Sequence, residues 1–374
     1  MRQTTLSASL SDRPEVTLEE LQLAVRNHSM PLEALRYDIT PVGLHYLLTH
    51  FDIPAVDVST WKLAVGGEVD HPLALDLEQI TSRTATTVAV TLECAGNGRA
   101  RLSPRPLSQP WLGEGVGNSE WTGTPLGPLL EEAGIARSAT HVVFTGLDRG
   151  IQGGIDQQYE RSLSVADATR DEVMLVYAIN GQPLPPQHGF PLRVIVPGWY
   201  GMTQVKWLRS ITVVNRAFEG YQQAVKYQVR SSSDAEAIPV TRMLPRALMV
   251  PPGVPDYMSR TRFVDVGTHT IEGRAWSGHG PVVRVELSDD GGSSWSAAEL
   301  EDADSPFAWR RWTWRWAAVA GEHELCARAA DAAGNVQPAD QSWNVEGVQN
   351  NAVQRIKVVV GAPPDGVQRP ADEP

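Results

Sequence analysis

The sequence predicts a mixed domain of short strands and a few helices, followed by an all-β sandwich of the immunoglobulin type. Three observations carry this. The 374 residues exceed what one ordinary core supports and point to about two domains. From about Tyr37 to Gln228, brief apolar runs are interleaved with helical patterns. Beyond a loop-rich stretch between Arg230 and Pro255, alternation of apolar and polar residues takes over.

Residues 1–35 read as an N-terminal extension, in which Thr17-Leu18-Glu19-Glu20 supplies a capping box for a short helix through about Asn27. The first domain covers 36–235. Val88, Val90 and Leu92 alternate on one face of a strand that ends at Cys94. Thr124-Pro125, then Leu126, Leu129, Leu130 and Ala133 before Gly134, read as a helix with a proline start and a glycine stop. Leu192 to Val196 is a buried strand stopped by Pro197-Gly198. Ser231-Ser232-Ser233 and Pro251-Pro252-Gly253 are loop chemistry.

The second domain covers 250–361. Val283, Val285 and Leu287 alternate before the Asp289-Asp290-Gly291-Gly292 hairpin turn. Trp312, Trp314 and Trp316 share one strand face, with Arg311, Thr313 and Arg315 on the other. Leu325, Ala327 and Ala329 alternate again before a turn at Asp331–Gly334. Strands of this length and spacing suit a sandwich of about 110 residues. Residues 362–374, rich in Pro, Asp and Gly, read as a disordered tail.

Composition narrows the function. With 42% hydrophobic and 20% charged residues the chain is globular. A net charge of −12 argues against nucleic acid as partner, because phosphate backbones need a basic face. No apolar run approaches the roughly 18–20 residues of a membrane helix. The N-terminus shows neither a secretory signal nor a twin-arginine motif, so with Met1 as the natural start the expected compartment is the cytoplasm. Two cysteines exclude a disulfide framework, a CxxC zinc site and a CxxCH haem attachment, while one Cys94–Cys326 bridge stays open on counting alone.

Few residues are placed for chemistry. In Cys94-Ala95-Gly96-Asn97-Gly98-Arg99, a cysteine at a strand end opens a loop whose amides and arginine would favour a thiolate. The plainer reading is a small buried residue. Cys326, between strand neighbours, reads as structural. His188, Arg193 and Lys206 converge around one buried strand, which suits a phosphate or other anion, solvated cations being the plainer reading. Asp148 reads first as a turn residue. Gly113, Gly115 and Gly117 follow no strand and make no dinucleotide fingerprint. His45 and His50 have the wrong spacing for two ligands on one helical face. The tryptophans at 312, 314 and 316 read as core or interface packing.

The order and spacing of these segments resemble the sulfite oxidase family of molybdenum enzymes, from about Tyr37 to Val360. Ile39-Thr40-Pro41 through His50 to Ile53-Pro54 is similar to the family's opening motif. Leu92–Asn97 is similar to the signature around its metal-bound cysteine, and Gly117–Gly123 to the segment that follows. Asn180–Pro185, His188–Arg193, Pro197-Gly198 and Val205-Lys206-Trp207 form the longest and most specific stretch. Trp276-Ser277-Gly278, Asp290-Gly291-Gly292 and Trp343-Asn344 resemble its C-terminal domain.

The resemblance implies an α+β domain holding molybdopterin with molybdenum, without haem, and an immunoglobulin-like domain that forms a homodimer. It gives Cys94 the metal. It gives Tyr46, His50, Asp148, His188, Arg193, Gln204, Val205 and Lys206 the pterin and its phosphate. Tyr227 would stand beside the metal and Arg99 would bind substrate. The implied reaction is two-electron oxygen-atom transfer, oxidising sulfite or a similar small oxyanion and passing electrons to a separate acceptor, a cytochrome or oxygen. Alternatives are reduction of nitrate or an organic S-oxide on the same fold, or a non-enzymatic anion-binding role. Two positions depart from the family. Leu48 stands where sulfite oxidisers place an arginine, and Glu346 where vertebrate relatives align another, with Arg355 near enough in sequence to substitute. These departures predict a weakened anion pocket.

Overall fold

The computed structural model describes residues 10–11, 16–303 and 305–361. Strands of three or more residues in the first domain are β1 (Leu63–Gly67), β2 (Leu73–Leu75), β3 (Thr86–Glu93), β4 (Val116–Pro125), β5 (His141–Gln152), β6 (Ile155–Ser164), β7 (Met174–Ile179), β8 (Arg193–Ile195) and β9 (Leu208–Val214). They form two sheets. One runs β2-β1-β9-β5-β6, parallel only between β1 and β9. The other runs β3-β4-β7, antiparallel, with β8 also on β7.

The α-helices among the described residues are α1 (Leu18–Arg26), α2 (Leu77–Thr81), α3 (Leu126–Ala133), α4 (Val165–Ala168) and α5 (Tyr221–Ala224). None exceeds the nine residues of α1, so strands dominate the domain. None is long and apolar enough to cross a membrane. The Thr17 capping box forms as expected, and α3 ends at Gly134 with φ +70, a left-handed cap that glycine adopts without a Cβ clash. Glu20 of α1 is buried and pairs with Arg105 at 2.8 Å.

The second domain stacks two sheets. Its strands of three or more residues are β10 (Arg246–Met249), β11 (Arg262–Val264), β12 (Gly267–Trp276), β13 (Val282–Ser288), β14 (Arg310–Ala318), β15 (Gly321–Asp331) and β16 (Gln354–Val360). The sheets run β10-β12-β14 and β11-β16-β15-β13. Trp312 and Trp316 of β14 fill the space between them with Ile271, Val285, Leu325 and Ile356. Trp314 lies half-buried beside Trp316. The core therefore absorbs these tryptophans. The expected tail at 362–374 lies outside the described residues.

A third apolar cluster joins the domains. Met30, Ala34 and Leu35, from the stretch read as an extension, pack with Tyr200, Leu248, Trp276 and Trp309. The end of β3 is also covered from both sides, unlike the one-faced strand that alternation predicts. The second-domain approach explains it: Thr91 donates its N–H to the Phe307 carbonyl at 2.9 Å, and Trp309 N–H donates to Thr91 Oγ1 at 2.8 Å.

Candidate active site

The first domain opens a cleft lined by Tyr46, His50, Cys94, His188, Arg193 and Lys206 among others. Cys94, one residue past β3, lies on its floor and is almost fully buried. Its N–H donates to the Gly115 carbonyl at 2.8 Å, and its own carbonyl accepts from Asn97 at 2.9 Å, which turns the chain. Burial pushes the Cys94 thiol up, opposed by the Arg99 charge, the Gly96 amide and Trp111.

The second domain grips this loop. Glu93 pairs with Arg246 at 2.6 Å and accepts from Trp276 Nε1 at 2.9 Å and Asn97 Nδ2 at 3.0 Å. Gln349 N–H donates to the Ala95 carbonyl at 2.8 Å, and Asn350 Nδ2 to the Gly98 carbonyl at 2.7 Å. Gly98 has φ +86, and a Cβ there would come within 2.9 Å of the Asn350 carbonyl oxygen. Only glycine fits both demands.

One wall carries a phenol and an imidazole in contact. His50 Nε2 and Tyr227 Oη lie 2.7 Å apart, and the His50 ring sits 4.6 Å from that of Tyr159. Tyr227 holds φ +55, a left-handed conformation rare outside glycine, so the surroundings fix it against its preference. Burial raises the Tyr227 phenol and lowers His50 to about 3, the Lys206 charge adding to the latter. Both groups are neutral near pH 7.

Another part of the lining is cationic. Lys206 Nζ donates to the carbonyls of Leu48 at 3.0 Å and Gln187 at 3.1 Å. Arg193 donates to the His188 carbonyl at 2.9 Å and lies over Trp121, its guanidinium carbon 4.8 Å from the ring centroid. Burial holds Lys206 below the usual lysine range, with Arg193 adding to the effect, and raises Asp148, the one carboxylate lining the cleft among the described residues. His45 Nε2 and Arg193 Nε are buried without a hydrogen bond among the described residues. Surplus positive charge and the unpartnered Arg193 Nε–H fit a phosphate-bearing ligand. Among the described residues no three His, Cys, Asp or Glu side chains gather to chelate a metal. Cys94 thus offers a single soft ligand, which suits a metal carried by an organic sulfur cofactor such as molybdopterin.

The chain matches the oxidoreductase molybdopterin binding domain family over residues 50–222 and the Mo-co oxidoreductase dimerisation domain family over 253–361. It is 33% identical to a mitochondrial sulfite oxidase of Homo sapiens, over 86% of this chain and 62% of that protein. It is 34% identical to an NAD(P)H nitrate reductase of Hordeum vulgare, over 88% of this chain and 40% of that protein. The chain thus spans about half the length of the curated relatives it matches. A solved structure of the sulfane dehydrogenase SoxCD from Paracoccus pantotrophus superposes with TM-score 0.76 and 27% identity, covering 93% of this chain and 91% of that one. The chain belongs to the sulfite oxidase family of molybdenum-dependent oxidoreductases. Its cofactor is molybdopterin with molybdenum.

Of the residues the sequence singles out, this family member brings Tyr46, His50, Cys94, Asp148, His188, Arg193, Gln204, Lys206 and Tyr227 to one cleft. Gln204 spends its amide on the loop after β8, donating to the Val196 and Trp199 carbonyls at 3.0 and 3.1 Å. Two residues lie outside the lining. Val205 is buried in the first-domain core, its backbone paired with Thr203 and Val194 at 2.9 Å. Arg99 is buried beneath the Cys94 loop and donates to the carbonyls of Glu346 at 3.0 Å and Gln109 at 3.1 Å.

Arg355 does not take the place of a missing cation. It sits on β16, bonded to Glu324 at 2.8 Å and the Gly291 carbonyl at 2.9 Å. Glu346 is paired with Lys226 at 3.1 Å. Both cysteines are free, which removes the Cys94–Cys326 bridge. Leu48 lines the cleft and packs on the apolar cluster that includes Tyr46, Leu92 and Cys94.

Sequence reasoning missed His45, Tyr159 and Met202, all of which line the cleft. His45 follows a 3-10 turn at Val42–Leu44, so helical ligand spacing was the wrong criterion for it. Its ring lies over Gly117, where a Cβ would come within 2.5 Å, and this gives one of the dismissed glycines a packing role.

The three cleft histidines set a pH dependence for the cofactor-free protein. Burial lowers His45 to about 4 and His50 to about 3 from the usual 6.5, and His188 further still. The folded values lie below the unfolded one, so this stability is complete above about pH 6.5 and is lost as pH falls through the folded values. Asp148, raised by burial, takes up a proton on the folded side and offsets one of the three. The melting temperature should decline steadily from about pH 6.5 toward about pH 4. Thermal melts across that range check it, and a flat profile would contradict the neutral histidines.

Proposed function

We propose that this chain oxidises a small sulfur oxyanion, sulfite foremost, by oxygen-atom transfer and passes the electrons to a separate acceptor. The observation that carries this reading is the Tyr227–His50 pair at 2.7 Å in the same cleft as Cys94. Molybdenum on its pterin supplies two-electron oxygen-atom chemistry when bound. Cys94 would ligate it through sulfur, while Lys206, Arg193 and His188 would hold the anionic cofactor. Tyr227, fixed by His50 and by its own backbone, would orient the oxyanion through a phenol that stays protonated at neutral pH. Neutral His50 leaves the phenol as a hydrogen-bond group without adding charge at the reacting centre.

A second reading keeps the chemistry and changes the substrate. Leu48 presents an apolar side chain to the cleft, and the SoxCD neighbour is a sulfane dehydrogenase, so a less charged sulfur compound competes with sulfite. Molybdenum determination coupled to sulfite-dependent ferricyanide reduction tests the first reading. A molybdenum-replete protein that oxidises no sulfite but reduces nitrate or an S-oxide with a reduced dye would overturn it.

Tyr227→Phe should lower kcat about tenfold to a hundredfold while molybdenum stays bound, because one oriented hydroxyl contributes a few kcal/mol or less in the transition state. Loss of the cofactor instead would make Tyr227 structural. The second domain, read as immunoglobulin-like, matches the dimerisation family, and the protein should therefore be a homodimer at micromolar concentration by light scattering. A monodisperse monomer would remove that expectation.

A further inference from the structure

Arg161 of β6 has no part in the site so far described, and its surroundings are unusual. It is 3% exposed. Side chains two apart on a strand share a face, so Arg161 stands beside Tyr159 and follows it toward the Tyr227–His50 pair. Its guanidinium carbon lies 5.7 Å from the centroid of the Tyr227 ring. One terminal nitrogen donates to the Gln222 carbonyl of α5, while Nε has no hydrogen-bond partner. The Gln222 side-chain amide donates to the Gln152 and Gln157 side chains at 2.7 and 3.1 Å.

Among the described residues, no carboxylate forms an ion pair with Arg161; its one hydrogen-bond acceptor is the neutral Gln222 carbonyl, and the Tyr159 and Tyr227 phenols are the acidic groups that bear on its charge. Buried guanidinium groups are normally paired, because an uncompensated charge in a low-dielectric site is costly. An anion bound beside Tyr227 would supply the missing counter-charge. Tyr227 lines the cleft and Arg161 does not, so the phenol stands between this cation and the cleft.

We propose that Arg161 is a specificity-determining positioning residue, whose unpaired charge behind Tyr227 draws a small oxyanion onto the cleft side of that phenol. The inference rests on the oxyanion reading of the site. It acts through Tyr227 and through the field, without touching the substrate. The charge matters more than the shape of the side chain. At a separation of several ångströms and an effective dielectric near 20, one charge changes anion affinity about tenfold or more.

The test uses the molybdenum-loaded full chain as wild type, Arg161→Gln and Arg161→Lys. The Gln variant keeps an N–H for the Gln222 carbonyl, and Arg161→Met takes its place should Gln misfold. Inorganic sulfate binding is measured by calorimetry beside sulfite kinetics, with metal content and melting temperature for each protein. The neutral variant should bind sulfate about tenfold more weakly, raise the sulfite KM about tenfold and keep kcat within about threefold. Arg161→Lys should stay within about threefold of wild type on all three. Sulfate affinity within twofold of wild type in the neutral variant overturns the proposal, as does a Lys variant no better than the neutral one. Wild-type protein that binds no sulfate overturns it too. Wild-type protein that binds sulfate but oxidises no sulfite leaves the Arg161 assignment standing and overturns the sulfite reading alone.

Discussion

Cys94→Ser should give a folded protein whose oxygen-transfer turnover, per bound molybdenum, falls at least about a hundredfold. Among the described residues, Cys94 is the one cleft-lining side chain that can supply a thiolate, the Met202 thioether being neutral, and no chelating cluster lies there to replace it. A serine hydroxyl is harder, and its alkoxide is far less accessible near pH 7 than a thiolate, so the metal would lose both a ligand and its electronic character. The fold should survive. The backbone bonds to Gly115 and Asn97 do not involve the side chain, and a hydroxyl among Tyr46, Leu92 and Trp111 costs about 1–3 kcal/mol if unpartnered. Metal analysis, circular dichroism and turnover per molybdenum separate the two effects. Activity within tenfold of wild type in a loaded variant would defeat the ligand assignment.

The parts of the site that the sequence made legible are those built from contiguous segments. Cys94 to Arg99 is one turn after one strand, and His188 to Lys206 wraps one buried strand, so spacing marks these segments, while their roles came from the family resemblance and Arg99 and Val205 fall outside the lining. What stayed hidden depends on partners distant in sequence. Glu93 looks like an ordinary strand end until Trp276, 183 positions on, reaches its carboxylate. Arg161 acquires meaning only from Tyr227, whose approach no periodicity encodes. His45 was set aside by a rule for helices that does not apply to a turn. Alternation along β3 places Val88, Val90 and Leu92 on one face and says nothing of Thr91, whose cover comes from residues 307–309 of the other domain. Local pattern specified the elements, and docking of the second domain decided what the site's floor would bear on.

That docking supplies the remaining large effect. Arg246→Met should destabilise the protein by about 3–5 kcal/mol and release molybdenum, because it strands the Glu93 carboxylate in the interior. Glu93 is fully buried, and without Arg246 it keeps only the neutral donors Trp276 and Asn97 at 2.9 and 3.0 Å. Those bonds solvate part of a charge and do not neutralise it. Arg246 also donates to the Asn350 carbonyl, and Asn350 holds Gly98, so the cut loosens both ends of the loop carrying Cys94. Glu93→Gln alone leaves the opposite charge stranded and should cost a comparable amount. The double variant removes both charges and should recover much of the loss, since a buried pair replaced as a unit is often nearly neutral in stability. Denaturant unfolding of the four proteins, with metal content measured on each, gives the coupling directly. If the single and double losses simply add, the pair is not a coupled unit. If molybdenum is retained in an unfolding-destabilised Arg246→Met protein, the second domain supports the fold without positioning the cysteine loop.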